Sequence, residues 1–266
     1  MPSIRVNDIE IYIERAGVGE TLLFISGTGG DLRNKPNVMD GPAPKAYDIL
    51  AYDQRGLGQT SKPDEPYSMA QYADDAAGLM DAVGWKNAKV IGVSFGGMVA
   101  QELALRHPGK VSRLVLACTS PGGAGGASFA FHDIQNLEGE ARARFMLPIS
   151  DTRLDDAWAA ANPDRYAQAI AQTASNAFAD EPGRAMGARR QLEARARHDT
   201  WGRLHQIQCP VLIAAGLYDG VALPATQDKM ASRIPRAQLA WFKGGHMFML
   251  QDRDAWPAII DFLKLP

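Results

Sequence analysis

The stretch Gly92-Val93-Ser94-Phe95-Gly96-Gly97 decides how this chain folds. It follows a short apolar run, Ala88–Ile91, and precedes Met98–Arg106, whose pattern predicts a helix. A Gly-x-Ser-x-Gly sequence between a strand and a helix is the signature of a sharp, strained turn that exposes the serine hydroxyl above a sheet. Gly92 and Gly96 allow neighbouring backbone to approach where a Cβ atom would clash. A turn that simply requires glycine is the alternative, but the flanking strand and helix favour the functional interpretation.

The composition is that of an ordinary globular protein. The chain has 266 residues, 46% of them hydrophobic and 22% charged, so it is long enough to bury a large core. The formal net charge of −2 gives no reason to expect nucleic acid or an acidic membrane surface as a partner. The two cysteines, Cys118 and Cys209, lie in or beside apolar runs, which predicts buried, reduced thiols rather than a disulfide.

The N-terminal residues Met1–Glu10 lack the apolar core of a signal peptide. No apolar run approaches the roughly 18 residues needed to cross a bilayer. We therefore expect a soluble cytoplasmic protein.

Strands and helices alternate along most of the chain. Val6–Arg15 alternates apolar and polar residues and predicts a half-exposed antiparallel strand. Besides the elements flanking Ser94, strands are predicted at Thr21–Ile25, Tyr47–Tyr52, Val111–Thr119, Val211–Ala215 and Leu239–Phe242, and helices at Ser68–Val83, Gln227–Ile234 and Ala255–Leu263. This alternation predicts an α/β fold whose parallel sheet carries helices on both faces.

The alternation stops after Ser120, where the glycine-rich linker Pro121–Gly126 begins. From about residue 128 to 200 no strand is evident, and Ala- and Arg-rich stretches are interrupted by Pro148, Pro163 and Pro182. We therefore predict that residues 1–121 and 201–266 form the α/β core and that residues 122–200 form a helical lid, or cap, inserted into it.

A serine hydroxyl is a weak nucleophile that needs a general base, and the base needs an orienting carboxylate. His246 follows the last predicted strand, at the sheet edge where Ser94 emerges. Asp219 follows the strand ending at Ala215, whereas no acid follows the strand ending near Thr119. The alternatives are that His246 is a loop histidine with only local hydrogen bonds, and that Asp219 is simply a residue of an Asp-Gly turn. The chain order Ser94, Asp219, His246 favours a catalytic triad.

The tetrahedral intermediate of acyl transfer needs backbone N–H donors aimed at its oxyanion. Phe95, at the N-terminus of the helix after Ser94, supplies one. The second is expected from the glycine-rich loop Ser26–Gly30, at Thr28.

Taken together, the turn at Ser94, the glycine loop and the order of the three residues resemble the α/β-hydrolase family. The resemblance covers almost the whole chain and implies a mostly parallel eight-stranded sheet with a helical lid after the sixth strand. Asp53–Ser61 is similar to the family's Asp-x-Arg-Gly-x-Gly-x-Ser stretch, which implies that Asp53 and Arg55 brace loops beside the oxyanion hole. Ser26-Gly27 stands where the family usually has His-Gly, a replacement that resembles the 3-oxoadipate enol-lactonase branch.

The predicted lid is rich in arginine, and a carboxylate-bearing substrate would suit one of these side chains. Solvated helix pairs are the simpler explanation, because the spacing of Glu138–Arg142, Glu140–Arg144 and Glu193–Arg197 is i,i+4. Apolar lid residues offer candidates for an acyl pocket, although such residues more often pack a lid onto its core: Phe129, Phe131, Phe145, Met146 and Trp158.

The leading hypothesis is an enzyme, a cofactor-free serine hydrolase of small esters or lactones. A C–C bond hydrolase of a ring-cleavage product would use the same triad, and a non-catalytic ligand receptor on the same fold is the third hypothesis. No His, Cys or Asp spacing resembles a metal site, and no Gly-x-Gly-x-x-Gly or phosphate loop points to a nucleotide cofactor. The expected partner is a small-molecule ester or lactone substrate, with no nucleic acid and no membrane.

Overall fold

The computed structural model describes residues 3–134, 136–175 and 177–265. Its strands are β1 (Ser3–Val6), β2 (Ile9–Ala16), β3 (Thr21–Ile25), β4 (Asp48–Tyr52), β5 (Ala88–Val93), β6 (Val111–Ala117), β7 (Val211–Gly216) and β8 (Ala237–Phe242). They form one sheet in the order β1-β2-β4-β3-β5-β6-β7-β8. Strands β3 to β8 pair in parallel, and β2 pairs antiparallel with β1 and β4. The predicted mostly parallel eight-stranded sheet is confirmed.

The helices are α1 (Met69–Ala82), α2 (Phe95–Arg106), α3 (Gly139–Ser150), α4 (Asp156–Ala161), α5 (Pro163–Ala174), α6 (Arg184–Ala196), α7 (Pro224–Arg233), α8 (Phe248–Gln251) and α9 (Ala255–Lys264). Neighbouring strand residues face opposite sides of the sheet, as the pleat requires. Val90 packs in a core with α1, α2 and α7, whereas Ile91 packs in a second core with α9. Helices therefore cover both faces, which explains why the central strands are apolar throughout.

The N-terminal segment differs from the prediction of a single strand. Asn7 adopts φ 51° and turns the chain between β1 and β2, so the segment is a hairpin. The predicted alternation holds within β2, where Ile9, Ile11 and Ile13 are buried and Glu10 is exposed. Asparagine is one of the few residues besides glycine that tolerates this left-handed conformation, so the turn has a local cause.

Local capping signals define both ends of α1, and the helix predicted at Ser68–Val83 is confirmed. Ser68 forms a capping box with Gln71 at its N-terminus, and Gly84 follows its end with φ 77°. One proline behaves differently from the prediction: Pro148 lies inside α3, close to its end, rather than interrupting it. The short helix α8 after the last strand was not predicted.

Between β6 and β7 the described residues from 128 to 200 form helices α3 to α6 and no strand beyond one isolated bridge at Asp199. Two small apolar clusters lie here, one around Met146 and one around Ile170. Both cysteines are free thiols, with Cys118 buried and Cys209 half-buried. In the described ranges, no helix is long and apolar enough to span a bilayer.

Candidate active site

Ser94 lies in the turn between β5 and α2, with φ 54° and ψ −116°. A non-glycine residue in this region is strained, by roughly 1–3 kcal/mol, and needs its surroundings to hold it there. The Ser94 carbonyl accepts the Thr119 hydroxyl at 2.7 Å and the Gly97 N–H at 2.9 Å. A Cβ atom at Gly96 would collide with the carbonyl oxygen of Ile25 on β3. The glycine therefore permits α2 to begin directly against the sheet.

The hydroxyl of Ser94 lies 2.9 Å from Nε2 of His246. On the other side of the ring, Nδ1 of His246 lies 2.9 Å from Oδ2 of Asp219. Asp219 is buried, and its Oδ1 also accepts the N–H groups of Val221 and Ala222, at 2.8 and 2.9 Å. Because the carboxylate can only accept, Nδ1 carries the proton and Nε2 is left to accept from Ser94. The three predicted residues thus form one continuous hydrogen-bonded chain.

The two predicted oxyanion donors, the backbone N–H groups of Phe95 and Thr28, lie close to Ser94: Phe95 follows it in sequence, and Thr28 lines the same cavity. Neither the N–H of Phe95 nor that of Thr28 has an acceptor within the described part of the chain. The Thr28 loop is held in place by the side chain of Gln191 on α6, whose Oε1 accepts the N–H of Gly29 at 2.9 Å. The structure therefore places both predicted donors at the sheet edge that carries Ser94.

A cavity of ≈ 410 Å³ opens at this edge and is lined by Ser94, His246 and Thr28. This volume lies within the range of small-molecule sites. Two of the predicted apolar residues, Phe131 and Met146, contribute to its wall. Phe145 is exposed instead, and Trp158 packs against the small cluster around Ile170.

The chain matches the family model described as alpha/beta hydrolase fold over residues 20–252. It belongs to the α/β-hydrolase fold family. The expectation of an α/β-hydrolase enzyme is thereby confirmed at the level of the family. In the described residues, no three His, Cys, Asp or Glu side chains are grouped so as to hold a metal ion.

Relatives of this α/β hydrolase include a poly(3-hydroxyalkanoate) depolymerase of Ectopseudomonas oleovorans, 30% identical over 91% of this chain and 84% of that enzyme. A putative carbamate hydrolase RutD of Variovorax paradoxus is 28% identical over 92% of each chain. Among solved structures, the enol-lactonase of Burkholderia xenovorans LB400 shares the fold with a TM-score of 0.79, at 24% identity over 99% of this chain and 100% of that one.

Asp53, in the motif that follows β4, braces the loop next to the predicted oxyanion hole, as the resemblance implied. Its carboxylate accepts the N–H groups of Leu32 and Gln59, each at 2.8 Å, and burial raises its pKa to about 6. Arg55 is buried and pairs with Asp8 and Asp75, which ties the β1–β2 turn to α1.

The end of α3 contacts both loops that carry His246 and Asp219, which the sequence did not suggest. The carbonyl of Ser150 accepts the N–H of His246 at 2.6 Å, and that of Ile149 accepts the N–H of Gly220 at 3.0 Å. Asp151 is buried next to them and accepts from Arg153 and Gln251. The only feature of the sequence that points to Asp151 is the basic residue two positions later, Arg153.

The arginines of this α/β hydrolase are paired differently from the i,i+4 prediction. Only Glu140–Arg144 forms as expected, with a 3.0 Å ion pair. Arg142 instead donates to the carbonyl of Ile134 and lines the cavity beside Ser94. Glu193 pairs with Arg189 and Arg190 rather than with Arg197. Arg195, on the buried side of α6, has no acidic partner in the described residues.

Proposed function

We propose that this protein is a serine hydrolase that cleaves a small ester or lactone through an acyl-enzyme, with Ser94 as nucleophile, His246 as general base and Asp219 as its orienter. The observation that carries the proposal is the chain of hydrogen bonds from Asp219 through His246 to Ser94, 2.9 Å at each step, opening on a cavity. This is the arrangement that activates a serine hydroxyl.

In the first half of the reaction, Oγ of Ser94 attacks the carbonyl carbon while Nε2 of His246 takes the hydroxyl proton. The tetrahedral intermediate then collapses, its bond to the leaving oxygen breaks, and His246 returns the proton to that oxygen. For a lactone, the freed hydroxyl stays attached to the acyl group. In the second half, His246 takes a proton from water, the resulting hydroxide attacks the acyl-enzyme, and Ser94 leaves with that proton.

The oxyanion of each intermediate would be held by the free N–H groups of Phe95 and Thr28. Phe95 is the first residue of α2, so the positive end of the helix dipole adds to its N–H. Each such donor is typically responsible for roughly 10²–10³ of the turnover rate. This role is supported by the finding that neither N–H has an acceptor in the part of the chain that the structure describes.

We assign residues 122–200 to a lid over this site. Arg142 and Met146 of α3, together with Phe131 before it, line the catalytic cavity, so the inserted helices form one wall of the site. Substrate choice would then depend on this segment rather than on the sheet.

The hydrolysis of an ester or lactone also fits the names of two similar proteins, a poly(3-hydroxyalkanoate) depolymerase and an enol-lactonase. The carboxylic ester bond is the chemistry that these two names share.

The test is the hydrolysis of 4-nitrophenyl acetate by Ser94→Ala and by a control, Ser232→Ala, whose side chain is exposed on α7. We expect Ser94→Ala to lose turnover by roughly 10⁶-fold and the control to retain it. A fluorophosphonate probe should label wild-type protein on Ser94 and fail to label Ser94→Ala. Full activity in Ser94→Ala would disprove the assignment, and an unlabelled wild-type protein would favour the receptor hypothesis.

A further inference from the structure

A second, smaller cavity of ≈ 90 Å³ lies beside the catalytic cavity, and Phe131 lines both. Its volume is less than a quarter of that of the larger cavity, so it suits the small polar end of a ligand rather than a long chain. Three buried polar side chains reach its wall: Arg195 from α6, Ser120 after β6, and His198 after α6.

Arg195 is only 7% exposed and has no acidic side chain within ion-pairing distance in the described residues. Nη1 donates to the Thr28 hydroxyl at 3.2 Å and Nη2 to the Ser128 hydroxyl at 2.6 Å. A guanidinium group has five N–H donors, so the remaining ones have no acceptor among the described residues. Burial lowers the pKa of Arg195 to about 10, which still leaves it positively charged at neutral pH. An uncompensated buried cation is costly, which indicates that an anion belongs beside it.

Arg142 adds a second positive charge to the same region. Its guanidinium lies 6.0 Å from the centre of the Phe131 ring, and that of Arg195 lies 4.1 Å from it. Arg142 also has no acidic partner among the described residues and is half-buried. Nearby lid arginines are neutralised, as Arg144 is by Glu140 and Arg153 by Asp151. Positive charge that is both without an acidic partner and withdrawn from solvent therefore lies at the walls of the two cavities.

His198 and Ser120 add a second requirement, which is for a hydrogen-bonding group rather than for an anion. Nε2 of His198 lies 3.2 Å from the carbonyl oxygen of Ser120, so it donates and leaves Nδ1 as an acceptor. Burial lowers the pKa of His198 to about 4, which keeps the ring neutral. Nδ1 of His198 and the hydroxyl of Ser120 are both buried without a hydrogen-bond partner. A ligand that satisfies them must itself carry a hydrogen-bond donor.

We propose that the smaller cavity is a subsite for the hydroxycarboxylate end of the substrate. The carboxylate would pair with the free N–H groups of Arg195, and a hydroxyl near it would donate to Nδ1 of His198. Arg195 also donates to the hydroxyl of Thr28, and Thr28 lines the larger cavity together with Ser94. The rest of the substrate would therefore extend into the larger cavity and bring its ester carbonyl toward Ser94. The binding of such an acid stands on the cavity alone, whereas its role as part of the substrate rests on the proposed function.

Binding is tested first, with Ser94→Ala protein so that nothing is turned over. Calorimetric titration with 3-hydroxybutyrate, butyrate and butane-1,3-diol separates the two features. We expect the carboxylate to strengthen binding by roughly 10- to 100-fold over the diol, and the hydroxyl to add a few-fold over butyrate, as charged and neutral hydrogen bonds do. In the Ser94→Ala background, Arg195→Gln should abolish the first preference. His198→Phe, which keeps an aromatic ring but removes Nδ1, should weaken the second.

Kinetics then test the link to catalysis, with 4-nitrophenyl hydrogen glutarate against the neutral 4-nitrophenyl pentanoate. Arg195→Gln should lower the ratio of their kcat/KM values by at least about tenfold, and Arg195→Lys, which keeps the charge, should restore part of it. Arg144→Gln, exposed on α3, is the matched control and should leave the ratio unchanged.

Equal affinity for the carboxylate and the diol would overturn the proposal, as would an equal loss for both esters in Arg195→Gln. Full esterase activity in Ser94→Ala, with 3-hydroxybutyrate still bound through Arg195, would instead remove the proposed function and leave the subsite standing.

Discussion

The backbone N–H of His246 donates to the carbonyl oxygen of Ser150 at 2.6 Å. Ser150 is the last residue of α3, so a helix from the inserted segment holds the loop that carries the catalytic base candidate. The next residue, Asp151, accepts hydrogen bonds from Nε and Nη2 of Arg153. The side chain of Gln251 donates to Asp151 and accepts the N–H of Gly245, so it links the two. The position of the His246 ring therefore depends on a segment far from it in sequence.

Replacing Asp151 by Asn should lower kcat for 4-nitrophenyl acetate by about tenfold, with little change in KM. The substitution removes the charge that holds Arg153 and weakens the link through Gln251 to the His246 loop. Loss of orientation in a catalytic group lowers the rate of the chemical step more than it lowers binding.

Asp155→Asn is the matched control for this experiment. Asp155 caps α4 by accepting the Trp158 N–H at 2.8 Å, a role that Asn performs equally well. Its kcat and melting temperature should equal those of the wild type. If KM rises and kcat stays constant in Asp151→Asn, the contact is part of substrate binding and not of base positioning.

Replacing Asp219 by Asn should lower kcat by roughly 10²–10⁴-fold without unfolding the protein. The amide oxygen of the new side chain can still accept hydrogen bonds from the N–H groups of Val221 and Ala222. The NH₂ group of the amide then faces Nδ1 of His246. The ring would then carry its proton on Nε2 and could not accept from Ser94. Steady-state kinetics with Asp228→Asn, an exposed residue of α7, as the control would measure the effect. A loss of less than threefold would contradict the role of Asp219.

Replacing Gly96 by Ala should destabilise the protein by at least 1–3 kcal/mol, roughly 2–4 °C in Tm per kcal/mol. The new Cβ atom would meet backbone carbonyl oxygens of Ile25 and Ser26, which cannot move without disturbing β3 and the glycine loop. Gly109→Ala is the control, because nothing lies within 4 Å of its Cβ position. Thermal melts compare the two, and equal melting temperatures would show that α2 can shift away from β3.

Acid should remove the contribution of Asp31 to stability. Burial raises the pKa of Asp31, but hydrogen bonds from Arg33 and Arg184 outweigh that effect and hold it at about 2, below its usual 3.8. A carboxyl with a lowered pKa in the folded state stabilises the fold above its unfolded pKa, and that stabilisation disappears as pH falls through about 4 to 2.

Urea unfolding of wild type and Asp31→Asn at pH 7, 4 and 3 measures this dependence. The difference in unfolding free energy should be largest at pH 7 and should shrink on acidification. A difference that stays constant with pH would mean that the carboxylate charge of Asp31 contributes nothing through Arg33 and Arg184.

The elements that sequence reasoning located well are those with local causes. The capping box at Ser68, the apolar runs of β3 and β5 and the glycines around Ser94 all act within a few residues. Because the central strands are parallel, residues that follow them necessarily meet at one sheet edge. The meeting of Ser94 with residues 125 and 152 positions later could therefore be inferred without coordinates.

Electrostatic pairing in the inserted segment could not be inferred in the same way. The i,i+4 spacing predicted a partner for Arg142, yet its side chain turns to the carbonyl of Ile134 and the cavity. Local spacing permits an ion pair, but burial and competing contacts decide whether it forms, since exposed pairs contribute little free energy.

The sequence by itself determined the alternation of strands and helices in the core, the strained serine turn and the three residues of the hydrogen-bonded chain, because hydrophobic period and turn chemistry are local properties. Only the tertiary structure decided that Arg195 lies against Thr28, 167 residues away, with no acidic partner among the described residues, and that the carbonyl of Ser150 accepts the N–H of His246. Those contacts depend on how the inserted helices pack against the sheet edge. Their free energy comes from burial shared among distant segments, which no short stretch of the chain encodes.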